Sequence, residues 1–274
     1  MGRKLGIVAG HGDLPFELYD AALRQGRDTF VLALENQADP EKLNGIPHEW
    51  VSVNAIGGVL EAAHRNGIED MVLTGDFQPW HLLNENPDEW LRARLPEIRE
   101  RMRGGENEAV AYVIEEFEKE GICIIAARAL AANMFPETGL LGRHEPNTEA
   151  WLDIARGVEA AKTIGRLDIG QAVVVQRRVV LAVEGVEGTD ALIQRSSDLR
   201  KDGPGPILVK MMKPQQELRA DPPTIGPRTV ELAVESGFSG IALEAGGALV
   251  VDRKAVVRIA DDADMFLVAV RPPE

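Results

Sequence analysis

Short β-branched runs alternate with longer amphipathic segments through the first half of the chain, and few architectures tolerate that rhythm. The runs Lys4–Ala9, Thr29–Leu34, Trp50–Val53 and Asp70–Thr74 have strand length, while Leu14–Gln25 and Ile56–Asn66 carry apolar residues at helical period. Strand, helix and strand in that order make βαβ units, whose strands lie parallel and are covered by helices. Asp88–Arg103 and Asn107–Glu120 read as two further helices, and Ile122–Ala126 as a strand returning to the sheet. The expectation is a Rossmann-like parallel-sheet domain over residues 1–134.

Both periods vanish between Phe135 and Asn147, where two prolines and two glycines punctuate the chain, so 135–147 reads as a linker. Beyond it come a helix, Thr148–Ile164, and two strands, Gln171–Gln176 and Val179–Val183, joined as a hairpin at Arg177-Arg178. A helix at Asp190–Arg200, a strand at Ile207–Lys210 and a Pro-rich loop follow. After the helix Pro227–Ser236, a second hairpin is expected about Gly246-Gly247, and a helix at Arg253–Ala260 and a strand at Met265–Ala269 close the chain. Hairpins among βαβ-like segments predict mixed strand directions. The fold class is therefore α/β with two domains, the second (148–274) a mixed α/β catalytic domain. A chain of 274 residues with 45% hydrophobic composition can supply two cores.

Thirty basic against 44 acidic residues leave a formal net charge of −14, which repels nucleic acid and anionic lipid headgroups. An anionic substrate must be held by local cations, backbone amides or a metal. The lone Cys123 permits no internal disulfide, and no apolar run approaches the roughly 20 residues of a membrane span. The opening residues lack a signal-peptide core, so the chain is expected in the cytoplasm, touching a membrane surface at most transiently.

Several loops could carry chemistry. Gly10-His11-Gly12 follows the first strand, where small residues let backbone amides approach a phosphate; a tight turn packing helix on sheet is the competing reading. Five arginines in Arg92–Arg103 alternate with acidic residues and read as a solvated helix face. Glu187 and Asp190 lie three residues apart across a strand-to-helix turn and could offer oxygens to a hard cation, although Thr189 and Asp190 could equally serve the helix start. The densest constellation is 210–229. Lys210, Lys213 and Arg219 supply cations, Asp221 is stiffened by Pro222 and Pro223, and Pro227 opens a helix with Thr224 or Gly226 near its cap.

Taken together, the motifs resemble one known family, the UDP-2,3-diacylglucosamine pyrophosphatases of the LpxI type. The resemblance spans nearly the whole chain. It rests on Gly-x-Gly-x-x-Pro at 10–15, Arg-Leu-Asp-Ile-Gly-Gln-Ala-Val-Val-Val at 166–175, Glu-Gly-Thr-Asp-Ala-Leu-Ile at 187–193, the run from Lys213 to Thr229, and Gly-Ile-Ala-Leu-Glu-Ala-Gly at 240–246. Asp76, Glu217 and Pro222 depart from the family pattern.

The resemblance implies a Mg²⁺-dependent hydrolase, another divalent cation being an alternative. It would cleave UDP-2,3-diacylglucosamine to UMP and 2,3-diacylglucosamine 1-phosphate in lipid A biosynthesis, with the essential aspartate falling on Asp221. The expected catalytic set is Asp221, Lys213 and Arg219, and the expected metal ligands are Asp221, Glu187 and Asp190. Substrate contacts are expected from Gly10, His11, Gly12, Thr189, Lys210, Gln215, Thr224, Gly226 and Glu244. The resemblance also implies a substrate seated in the interdomain cleft; a homodimer, peripheral at the inner membrane, completes the expectation. Competing readings are another nucleotide-diphosphate hydrolase, a Rossmann-type oxidoreductase, and a non-catalytic nucleotide-lipid sensor.

Overall fold

The computed structural model describes residues 2–52, 54–74, 87–220 and 222–272. They divide into two compact units, one of residues 1–132 with 217–221 and one of residues 133–216 with 222–274.

The first unit is built on a five-stranded sheet of β1 (Leu5–Ala9), β2 (Thr29–Leu34), β3 (His48–Val51), β4 (Asp70–Leu73) and β5 (Cys123–Ile124). Its order is β3-β2-β1-β4-β5 and every pairing is parallel. The inner strands β1 and β4 are buried at every residue, as their unbroken apolar runs require; β3, at an edge, alternates and leaves Trp50 exposed. The helices Ile56–Arg65, Glu89–Arg101 and Glu106–Lys119 close one core over Val8, Leu32 and Met71, and Ala220 joins it from the distant segment. The chain runs from β1 through β2 to β3 on one side and then crosses back to β4 on the other side of β1, so the loop after Ala9 sits at the switch point of the sheet.

The second unit holds a six-stranded mixed sheet whose strands, in spatial order, are Gly139–Leu140, Phe266–Val270, Gly240–Glu244, Ile207–Lys210, Ala172–Gln176 and Val179–Val183. Its strands are β6 (Gly139–Leu140), β7 (Ala172–Gln176), β8 (Val179–Val183), β9 (Ile207–Lys210), β11 (Gly240–Glu244) and β13 (Phe266–Val270). β9, β11 and β13 are parallel; β6, β7 and β8 enter by antiparallel pairings. Alternate side chains serve two cores. Val174, Leu208 and Ile241 face the helices Gly188–Ser196, Pro227–Glu235 and Arg253–Asp262, while Val173, Val209 and Val268 share a core with the helix Thr148–Arg166. That helix packs on β7, β8 and β9.

The structure corrects two sequence-based expectations. Residues 135–147 were expected as linker, yet Gly139–Leu140 pair with Val268–Ala269, because β13 has a free edge and two residues suffice to cap it. The hairpin about Gly246-Gly247 does not form. Both edges of β11 are taken by β9 and β13, so the chain turns out of the sheet, with Ala248 N–H donating to Glu244 O at 3.0 Å. Its β12 (Leu249–Val250) instead pairs in parallel with β10 (Thr224–Ile225). The hairpin at Arg177-Arg178 is present. Among the described residues no helix is long and apolar enough to cross a membrane.

Candidate functional site

In the second unit, the ends of three strands deliver charge to one edge of the sheet. β9 ends on Lys210, β11 on Glu244, and β8 just before Glu184. The directions of β8, β9 and β11 put all three residues at the same edge. All are buried, at 5%, 8% and 4% exposure, so each must be compensated. Lys210 Nζ donates to Thr189 Oγ1 at 2.8 Å and to the Thr224 carbonyl at 2.9 Å. The Thr189 hydroxyl donates a hydrogen bond to Glu184, whose second oxygen accepts the Gln171 N–H at 2.8 Å. Among the described residues, two of the three Lys210 donors are used.

Glu244 closes a second knot. One of its oxygens accepts the Met212 N–H at 2.8 Å and faces Lys162 Nζ at 2.7 Å, while Lys162 also donates to the Met212 carbonyl at 2.9 Å. Both backbone polar groups of Met212 are thereby gripped by a single ion pair. Lys213 and Gln215 carry the same segment onto the end of the Thr148–Arg166 helix: Lys213 Nζ lies 2.5 Å from Asp168, and the Gln215 amide donates to Gly165 O at 2.8 Å.

Two helices begin at this edge. Gly226 is the N-cap of Pro227–Glu235 and supplies no side chain to its amides; Glu187 occupies the N-cap of Gly188–Ser196 and makes no side-chain cap bond. Thr189 does not cap, because its hydroxyl is spent on Glu184. The Thr229 hydroxyl bridges the two helices at 3.3 Å from Asp190, and Thr224 donates to Pro222 O at 2.9 Å. Uncapped amides and a buried ammonium together make an edge that favours anions. Burial raises the Glu187 carboxyl, but backbone donors and Arg195, 2.7 Å away, outweigh it and hold it below the usual carboxylate range.

Arg219 falls elsewhere. With Glu217 and Ala220 it belongs to the first unit, where its guanidinium meets Glu217 at 2.8 Å and Glu118 at 2.8 Å. The Glu217 N–H donates to Asn107 at 2.6 Å. Also in that unit, Gly10, His11 and Gly12 form the loop after β1, with Gly12 at φ +85° and His11 exposed. Asp13 follows at the helix start, its carboxylate paired with Lys42. Asp221 and Asp76 lie outside the described residues. Among the described residues no group of three or more His, Cys, Asp or Glu is placed to hold a metal.

Sequence reasoning missed Lys162, Asp168 and Glu184. Lys162 had a legible signal, since it stands one helical turn beyond Val158 on the apolar stripe of its helix. Glu184 ends an apolar strand, and nothing local marks it as buried.

The family models for the LpxI N-terminal and C-terminal domains match residues 4–134 and 137–268. A curated relative, the UDP-2,3-diacylglucosamine pyrophosphatase LpxI of Caulobacter vibrioides, is 38% identical over 278 residues, covering 99% of each chain. Among solved structures, the CobK precorrin-6A reductase aligns at 11% identity with a TM-score of 0.33, covering 100% of this chain and 89% of that one.

Proposed function

The chain belongs to the LpxI family, and from that premise we propose that it hydrolyses the diphosphate of UDP-2,3-diacylglucosamine, a step of lipid A biosynthesis. The products are UMP and 2,3-diacylglucosamine 1-phosphate. The observation that carries this reading is the buried Lys210 at an edge shared with two uncapped helix starts. On a chain of net charge −14, that edge concentrates what a diphosphate needs.

In this reading the remaining Lys210 N–H and the amides that open Pro227–Glu235 take phosphate oxygens. They stabilise the charge that grows as water adds to phosphorus and the bridging oxygen leaves. Asp221 orients that water. Lys213, neutralised by Asp168, holds the loop in place, and Arg219, matched by two carboxylates, fixes residues 217–220 against their own unit.

We extend the proposal to Mg²⁺ or another hard divalent cation. The carboxylates of Asp221, Glu187 and Asp190 are the right donor type, and such ions bind through one or two carboxylates plus substrate phosphates rather than a full protein cage. Bound, the cation supplies charge neutralisation on the diphosphate. The proposed setting is a cytoplasmic homodimer that meets the inner membrane only to collect its substrate.

The test is release of UMP from UDP-2,3-diacylglucosamine by the purified protein, with Asp221→Ala and Lys210→Met beside it. Both variants should lose at least about a hundredfold in rate while keeping the native circular dichroism. No UMP from the wild type, or full rate in folded Asp221→Ala, overturns the reading. For the cation, Mg²⁺ should raise the thermal midpoint of the wild type and not that of Asp190→Asn.

A further inference from the structure

A strand at the edge of a sheet offers a row of backbone N–H and C=O groups to any passing chain, and proteins protect such strands by keeping them short or charged. Of the edges of the two large sheets, three follow that rule. β5 and β6 have two residues each, and β3 carries His48 and Glu49. β8 does not. It is five residues long, Val-Val-Leu-Ala-Val, with neither charge nor proline, and β7 pairs with one side of it.

Val180 and Leu181 pack against the cores on the two faces of the sheet, so the faces of β8 are used while its outer edge is not. Among the described residues one side chain reaches the strand's backbone, Arg195 at the Val183 carbonyl. Val179 is 59% exposed, Val183 37%, and Val186, just beyond the strand, 75%. A register shift against β7 at Val174-Val175 bends the strand without adding a polar group to it.

The two ends of β8 differ in charge. The turn before it bears Arg177 and Arg178, both exposed, and among the described residues neither forms an ion pair with a carboxylate. The stretch after it bears Glu184, Glu187 and Asp190 against one cation, Arg195.

We propose that β8 pairs antiparallel with β8 of a second copy of this chain about a two-fold axis, joining two six-stranded sheets into one. An antiparallel two-fold sets the start of each strand beside the end of the other. Each Arg177-Arg178 turn then meets the acidic stretch of the other copy, and the match occurs twice. That local attraction offsets the repulsion between two chains of net charge −14, while Val179 faces Val183 across the axis. The pairing gives the proposed homodimer its interface and does not rest on the hydrolase reading.

Sedimentation velocity over a dilution series, with hydrogen exchange at each concentration, tests it. The wild type should sediment as two chains and dissociate on dilution, and the β8 amides that face away from β7 should exchange at least about tenfold more slowly in the dimer. Val179→Lys puts a charge on the open edge without entering the core, and Arg178→Glu reverses the charge of the turn. Each should raise the dimer dissociation constant by at least about tenfold while keeping the native circular dichroism, because the two-fold counts every substitution twice. A wild type that stays monomeric overturns the inference together with the homodimer. A dimer in which those amides exchange as fast as in the monomer, or one that both folded variants leave unchanged, overturns the inference and places the homodimer contact elsewhere. Neither outcome touches the hydrolase reading, which stands or falls on UMP release.

Discussion

Lys210 Nζ stands 2.8 Å from the Thr189 hydroxyl, and that hydroxyl is itself a donor to Glu184, so a buried ammonium and a buried carboxylate are joined through one oxygen. The relay ties the end of β9 to the end of β8 through the first turn of a helix.

Thr189→Val keeps the shape and removes the oxygen. Lys210 and Glu184, both largely buried, each lose a partner, which should cost about 1–3 kcal/mol in urea unfolding. Thr189→Ser should recover most of it, because only the hydroxyl matters. A Val variant as stable as the wild type shows that the relay is not formed.

The same edge depends on a glycine. A Cβ at Gly170 would lie 2.3 Å from the Glu184 carbonyl oxygen, a backbone atom that cannot rotate away. Gly170→Ala should therefore displace residue 184 and destabilise the protein by about 1–3 kcal/mol. Activity should fall with it, since Glu184 anchors the Lys210 relay. Gly12→Ala is the contrast. Nothing stands within 4 Å of a Cβ there, so the cost is the roughly 1–2 kcal/mol of a left-handed backbone alone.

Much of this fold was legible because the strands of both sheets announce themselves by length. β2, β8 and β9 are read to the residue, and the helices expected from Leu14 and Pro227 begin there. What escaped was pairing. Gly139–Leu140 and Leu249–Val250 are two-residue strands whose existence depends on which neighbours have a free edge, and no local period records that. The site shows the same division. Lys210 meets Thr189 and Asp190 meets Thr229, whereas Arg219 lies only a few residues downstream and belongs to the other unit with Glu118. Sequence adjacency stops predicting spatial adjacency once a loop leaves one core and contributes Ala220 to another.

The hairpin at Arg177-Arg178 rests on Asp153. Both arginines have positive φ, +52° and +64°, as a two-residue turn between strands requires, and neither is a residue that adopts it cheaply. Asp153, 8% exposed, accepts both backbone N–H groups, the Arg177 one at 2.9 Å. Asp153→Ala should destabilise the protein by about 2–3 kcal/mol, the scale of hydrogen bonds to a charged group. Adding Arg178→Gly should return about 1 kcal/mol by relieving the backbone. Chemical denaturation of the single and double variants measures both steps, and no recovery in the double variant would show that the turn is unstrained.

Glu217 makes the acid side of stability testable. The Arg219 guanidinium holds its carboxyl below the usual carboxylate range, against a smaller upward pull from burial. A carboxyl with a folded pKa below its unfolded value stabilises the fold above the unfolded pKa, about 4.3 for glutamate, and loses that contribution as pH falls through the folded value. Glu217→Gln removes the pair. Because Arg219 is 35% exposed in its side chain, the loss should be modest, about 1 kcal/mol at neutral pH. The gap between wild type and variant should stay constant above about pH 5 and close as pH drops below 4. Urea midpoints from pH 7 down to the acid limit of reversible folding measure this. A gap that widened in acid would mean that Glu217 is protonated more readily in the folded chain, and that Arg219 is not its partner.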